Sequence, residues 1–233
     1  LTRLGHTVEV FEAGDHAGGL LWSGVPEYRL PKELLDAEIG RLVKMGVTIR
    51  LNYKVTDVLK EKTLGKFDAV YLAIGAQMIK QEEFADDNSV YLADAFTFFK
   101  EIIFNPSAYL QNKVVVYGGG KLALYLSRII KRYDSEVSVY FPGDKKMMPA
   151  YDYETDDALA EGVDIQLLKI IRKIEKGHII LENIKVEKGK VIGTGEFESV
   201  EANVLVLANR QECDTAFLQA VEGVVLNGDG TVN

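Results

Sequence analysis

"KVVVYGGGKLALYLSRIIKRYDSEVSVY", residues 113–140, decides the fold. A short apolar run enters three glycines, an amphipathic stretch follows, and a second β-branched run closes the segment. That order is strand, tight turn, helix, strand, which is a βαβ unit. The turn reads G-x-G-x-x-A, from Gly118 and Gly119 through Gly120, Lys121 and Leu122 to Ala123. Gly118 permits the tight turn, Gly120 lets backbone approach a pyrophosphate, and Ala123 permits close helix–strand packing. The helix N-terminus adds partial positive charge and free N–H groups. The turn therefore reads as a dinucleotide-binding turn, with a purely structural tight turn as the alternative.

A ligand with a free ribose 2′-hydroxyl calls for an acid at the end of the next strand, about 20 residues on. This strand ends in Tyr140-Phe141. The absence of an acid disfavours NAD, and NADP suits only with cations nearby. Lys145 and Lys146 either serve that purpose or form a solvated turn.

Moving outward, "HTVEVFEAGDHAGG" (6–19) repeats the pattern of "SEVSVYFPGDKKMM" (135–148): a short strand after a helix, leading into a Gly-Asp turn. Two nucleotide-binding α/β halves follow from the repetition. The first strand does end in an acid, Glu12, which is either a ribose ligand or a solvated strand end. "LTRLG" (1–5) reads as a last helical turn closed by Gly5. "PKELLDAEIGRLVKMG" (31–46) predicts a helix with Pro31 at its first position and Gly46 at its C-cap. Leu34, Leu35, Ile39, Leu42 and Val43 then share one face. "VTIRLNYKV" (47–55) and "FDAVYLAIG" (67–75) predict strands, "YLADAFTFFKEIIF" (91–104) a helix, and "NPSAYLQNK" (105–113) a surface connection. "YETDDALAEG" (153–162) predicts a short helix. Several strands follow between 163 and 208, with "EKGH" (175–178) and "EKGK" (187–190) as hairpin turns.

Composition bounds the function. With 233 residues, 47% hydrophobic and 27% charged, the chain is globular. Its net charge of −8 argues against nucleic acid or anionic membrane as a partner. No apolar run approaches the roughly 18 residues of a membrane span. One cysteine, Cys213, excludes an internal disulfide, a CxxC redox pair and a cysteine-ligated iron–sulfur cluster within this segment. His6, His16 and His178 show no metal-ligand spacing. A cytoplasmic setting is the expectation. No spacing identifies a catalytic triad or paired carboxylates, which suits chemistry carried by a bound cofactor.

The stretch "GHTVEVFEAGDHAGGLLWSGVPEYRLPKELLDAEIGRLVKMGVTIRLN" (5–52) closely resembles the flavoprotein domain of the glutamate synthase small (β) subunit. That module also occurs in the N-terminal part of dihydropyrimidine dehydrogenase and in NADH-dependent ferredoxin:NADP oxidoreductase. The family pattern runs GHxVTVFE, GGLLxYGIPxFRLPK and ALGVxIxxN. The resemblance continues through "DAVYLAIGA", the glycine turn, "MPA" at 148–150 and "ANRQECDTAFL" at 208–218.

The resemblance implies that Glu12 meets the adenosine ribose of FAD, that Gly18, Gly19 and Leu20 run along the dinucleotide, and that Arg29 lies beside the flavin. It implies Val55 at the adenine through its backbone, and Ala73 and Gly75 where the chain crosses near the cofactor. The bland reading of Arg29 is a surface ion pair, and Trp22 stands where the family more often has a basic or polar residue. The resemblance also implies NADPH or NADH as reductant, and iron–sulfur clusters in a partner domain or subunit as acceptors. The disulfide reductase chemistry of thioredoxin reductases is excluded by the missing CxxC.

Departures mark the second half: Lys121 and Tyr125 replace the family's Asn and Asp, Phe141-Pro142 stand in place of paired basic residues, and Arg210 replaces a glycine. NADPH use is thereby in question. The fold expected is α/β with two Rossmann-like domains, the second inserted into the first. Residues 1–110 and 211–233 form an FAD domain incomplete at both ends, and 111–210 a pyridine-nucleotide domain. The family's first glycine loop falls before Leu1, and its closing Gly-Asp segment falls after Asn233. The chain is therefore expected to be an internal piece of a larger flavoprotein that holds FAD poorly alone. The leading function is an FAD-dependent NAD(P)H oxidoreductase domain. The alternative is a structural or electron-relay flavoprotein module whose nucleotide half no longer binds.

Overall fold

The computed structural model describes residues 1–76, 78–79, 84–109, 111–187, 190–209, 211–219 and 221–232, with Pro106 and Tyr109 described by backbone alone. The chain divides into two compact units: Leu1–Met78 with Gln211–Asn233, and Ile79–Arg210.

In the first unit a single 3-10 turn, Thr2–Leu4, ends at Gly5 in the left-handed conformation that suits a C-terminal cap. Strand β1 (Glu9–Phe11) pairs in parallel with β2 (Thr48–Arg50), Val10 opposite Ile49. Between them lie α1 (Leu20–Ser23) and α2 (Lys32–Lys44). Pro31 is the N-cap of α2 and not its first residue; Met45 is the C-cap, and Gly46 follows at φ +102°. Of the apolar face predicted for α2 only Leu35 is buried, while Leu34, Leu42 and Val43 are exposed. Helix α3 (Val58–Gly65) was not legible in the sequence, since Val58 alone is buried. Its signal is the cap: the Asp57 carboxylate accepts the Lys60 N–H at 2.9 Å.

The strand predicted at 67–75 is corrected. The segment is irregular, with Val70, Tyr71 and Ile74 exposed. Its composition favours a strand, but a strand exists through a ladder with a neighbour, and β propensity yields to that context.

A two-residue strand, β3 (Met78–Ile79), leads into the second unit. There β4 (Ala85–Asp86) and β5 (Tyr91–Asp94) precede α4 (Ala95–Phe104). The βαβ segment forms as read: β6 (Lys113–Tyr117), α5 (Lys121–Arg132) and β7 (Glu136–Phe141). Then come α6 (Asp152–Ala160), β8 (Asp164–Leu167), β9 (Lys169–Glu175), β10 (His178–Glu187), β11 (Lys190–Glu201) and β12 (Val204–Leu207). Five strands make a parallel sheet in the order β5-β12-β6-β7-β8. An antiparallel sheet, β11-β10-β9, carries β4 parallel on its edge.

Residues 91–94, predicted as helix, pair with β12, and Asp94 opens α4 by accepting the Phe96 and Thr97 N–H groups, each at 3.0 Å. The boundary expected near 110 falls inside this unit for the same reason. Residues 114–117 are all buried, as in a parallel strand covered on both faces. The core joins Val116, Val139 and Val206 to Leu124, Leu126 and Phe98. The 175–178 hairpin turn places Lys176 and Gly177 at positive φ, +52° and +75°. In the 187–190 turn, Lys188 and Gly189 lie outside the described residues, but Glu187 pairs with Lys190.

Candidate functional site

The candidate residues fall in two groups, one in each unit. In the second unit the glycine turn joins β6 to α5. Gly118 donates its N–H to the Tyr140 carbonyl at 2.9 Å, and Ala208 donates to Tyr117 at 2.8 Å, so the turn is laced between β7 and the residue after β12. Gly118 has φ +151°, and a Cβ there would sit 2.1 Å from the Ala208 oxygen. Only glycine fits.

Gly119 is closed differently. A Cβ on it would lie 2.7 Å from the Phe141 ring and 2.9 Å from Met148, and its carbonyl accepts the Ala150 N–H at 3.1 Å. Gly120, the N-cap of α5, faces open space. One glycine of the three therefore leaves backbone bare for a ligand, directly at the helix N-terminus. Ala123 is fully buried and Leu122 packs on the core, which is the close helix–strand approach the motif implies.

Two of the departures from the family pattern, Lys121 and Tyr125, find partners in the segment 151–161. The Lys121 ammonium sits 4.0 Å over the Tyr151 ring. The Tyr125 hydroxyl donates to the carboxylate of Glu154 at 2.9 Å, and both residues are buried. Arg128 pairs with Asp157 at 3.1 Å and with Glu161 at 2.6 Å, and Arg132 adds a bond to Glu161 at 2.7 Å. The hydrogen bond from Arg128 holds the Glu161 carboxyl down at about 2. Lys145 is exposed and faces Asp152 at 3.7 Å, and Lys146 is exposed. Arg210 lies outside the described residues.

In the first unit, Glu12 follows β1 directly. Its carboxylate accepts the Gly14 N–H at 2.7 Å, and its carbonyl accepts the Tyr53 N–H at 2.8 Å, two residues before the half-buried Val55. A carboxylate with lone pairs beyond one N–H suits a ribose diol. Gly18 and Gly19 take φ +115° and +52°, and a Cβ on Gly18 would meet Leu35 at 3.0 Å. Leu20 starts α1. Arg29 is exposed, its N–H bonded to Pro26 at 2.9 Å. Ala73 and Gly75 are exposed within the irregular 67–76 run.

Sequence reading missed Lys32. Its ammonium donates to the carbonyls of Leu21, Trp22 and Val25 at 3.2, 2.7 and 2.9 Å, and burial pushes its pKa down. Trp22 in turn stacks on His16, centroids 4.0 Å apart. The only available signal was a lysine following the proline that opens a helix. Among the described residues no group of His, Cys, Asp and Glu is arranged to hold a metal ion, and no helix is long and apolar enough to cross a membrane.

No family model matches the chain. It is 31% identical over 235 residues to the β subunit of the NADP(+)-dependent formate dehydrogenase of Moorella thermoacetica, covering 94% of this chain and 33% of that one. It is 31% identical over 179 residues to the small chain of the NADPH glutamate synthase of Escherichia coli K12, covering 71% and 38%. These relatives match the module that the sequence resembles. The chain spans about a third of the length of the curated relatives it matches. Among solved structures, the thioredoxin reductase of T. acidophilum aligns with a TM-score of 0.72 at 15% identity, over 99% of this chain and 77% of that one. At that identity the likeness is one of fold: α/β with Rossmann-like domains.

Proposed function

We propose, for a chain related to the β and small subunits of NADP-linked oxidoreductases, that it is the dinucleotide-handling part of an FAD-dependent NAD(P)H oxidoreductase. FAD, when bound, supplies acceptance of a hydride from nicotinamide and release of electrons one at a time. The protein's part is to bind and orient. Gly120, with the N–H groups opening α5 at Lys121 and Leu122, receives the pyrophosphate of NADPH or NADH. Gly118, Gly119 and Ala123 shape that turn. In the other unit Glu12 accepts from the ribose of FAD, while Gly18, Gly19 and Leu20 follow its phosphates and Arg29 donates toward the flavin. Val55, Ala73 and Gly75 complete that contact set through backbone. Electrons leave to iron–sulfur clusters on a partner domain or subunit, since Cys213 alone cannot ligate one. The setting is cytoplasmic.

The observation that carries this reading is the open face of Gly120 at the head of α5, inside a G-x-G-x-x-A turn between parallel strands. A second reading, an electron-relay module that no longer takes a pyridine nucleotide, is favoured by Phe141 and Met148 lying against Gly119. Anaerobic titration of NADPH, then NADH, into the full-length flavin-loaded protein separates the two. Loss of the flavin's visible absorbance supports the oxidoreductase, and no loss at millimolar nucleotide supports the relay.

A further inference from the structure

The loop 18–25 departs from regular structure almost as soon as it enters it: α1 lasts four residues, with the Leu20 carbonyl taken by the Gly24 N–H and the Leu21 and Trp22 carbonyls left to a side chain. Lys32, in the first turn of α2, answers for them. An ammonium carries three N–H donors around one nitrogen, and the three carbonyls of Leu21, Trp22 and Val25 lie within 3.2 Å of it. One turn further along α2, Leu35 is buried against Gly18. The loop is thus fastened to the head of α2 at two points, one polar and one apolar. The same lysine sits 5.9 Å over the Trp22 ring, which stacks on His16 within 18° of parallel.

We propose that Lys32 is the positioning residue of the flavin loop, its three hydrogen bonds to the Leu21, Trp22 and Val25 carbonyls holding residues 18–25 in the shape that receives a dinucleotide. The inference rests on the reading of this loop as the FAD site. Lys32 does not touch the cofactor; it acts through the backbone. Arginine keeps the charge but spreads its donors over a planar fork, so it does not serve three carbonyls converging on one point.

Trp22 is the sole tryptophan of these 233 residues, and the part of the full-length protein's emission that Trp22→Phe removes is a probe of loop shape that needs no cofactor. Lys32→Met and Lys32→Arg are compared with the parent in the full-length protein by tryptophan emission, peptide-resolved hydrogen exchange and FAD titration. Lys32→Met is expected to shift the emission to the red, to speed exchange at 18–25 at least tenfold while 113–140 is unchanged, and to weaken FAD binding at least tenfold. Lys32→Arg is expected to restore none of these. Parent-like exchange and emission in Lys32→Met overturn the proposal, as does full rescue by arginine, or a loosened loop with parent-like FAD affinity. If the parent itself binds no FAD while the loop loosens in Lys32→Met, the FAD reading fails and the fastening role of Lys32 stands. Should Lys32→Met fail to fold, with exchange rising at 113–140 as well, Lys32→Gln carries the same test.

Discussion

Gly118 and Gly120 belong to one turn, yet the fold demands different things of them. Gly118→Ala places a methyl against the Ala208 carbonyl oxygen at a backbone angle that L-residues rarely adopt. It is expected to cost about 1–3 kcal/mol or more, read as a lower midpoint in denaturant unfolding. Gly120→Ala meets no neighbour and is expected to cost under about 1 kcal/mol as an N-cap change. Its effect should fall on pyridine-nucleotide affinity. A parent-like affinity in Gly120→Ala would remove this face from the binding site. Phe141→Ala separates the two functional readings from the other side. It is expected to cost about 1–3 kcal/mol through lost packing and to uncover Gly119. A gain in nucleotide affinity identifies the ring as a block, and an unchanged affinity identifies it as packing.

Helices α5 and α6 are tied by a charge cluster built on Arg128, which is 7% exposed. Because Glu161 is held near 2 against an ordinary 4.5, its pairing contributes stability that is fully present above about pH 4.5. The contribution is lost as pH falls through the folded value. Acid unfolding of the parent should therefore steepen between those limits. Glu161→Gln should lower stability at pH 7 and flatten that part of the profile; an unchanged profile would show the pair to be inconsequential. The 67–75 run gives the opposite lesson about elements. Val70, Tyr71 and Ile74 supply strand propensity, but the described backbone gives them no ladder, so pattern alone does not make the strand.

Burial is distributed unevenly over the molecule. In the second unit β6, β7 and β12 lie in a continuous apolar core, whereas Leu35 and Val58 are the buried aliphatic side chains described between residues 1 and 76. Hydrogen exchange is expected to follow, with amides of β6, β7 and β12 the slowest and those of β1 and β2 faster by orders of magnitude. Equal protection in the two units would contradict the packing described here. The sequence by itself determined the βαβ segment 113–140, its glycine turn, the cap at Gly5 and helix α2. Each of these is written in a few adjacent residues, as a period of apolar side chains or a backbone angle open to glycine. Only the tertiary structure decided that 91–94 is strand, that Phe141 covers Gly119, and that Lys32 gathers three carbonyls. Those outcomes depend on partners brought together by packing, and no local pattern encodes where a distant carbonyl or ring will come to rest.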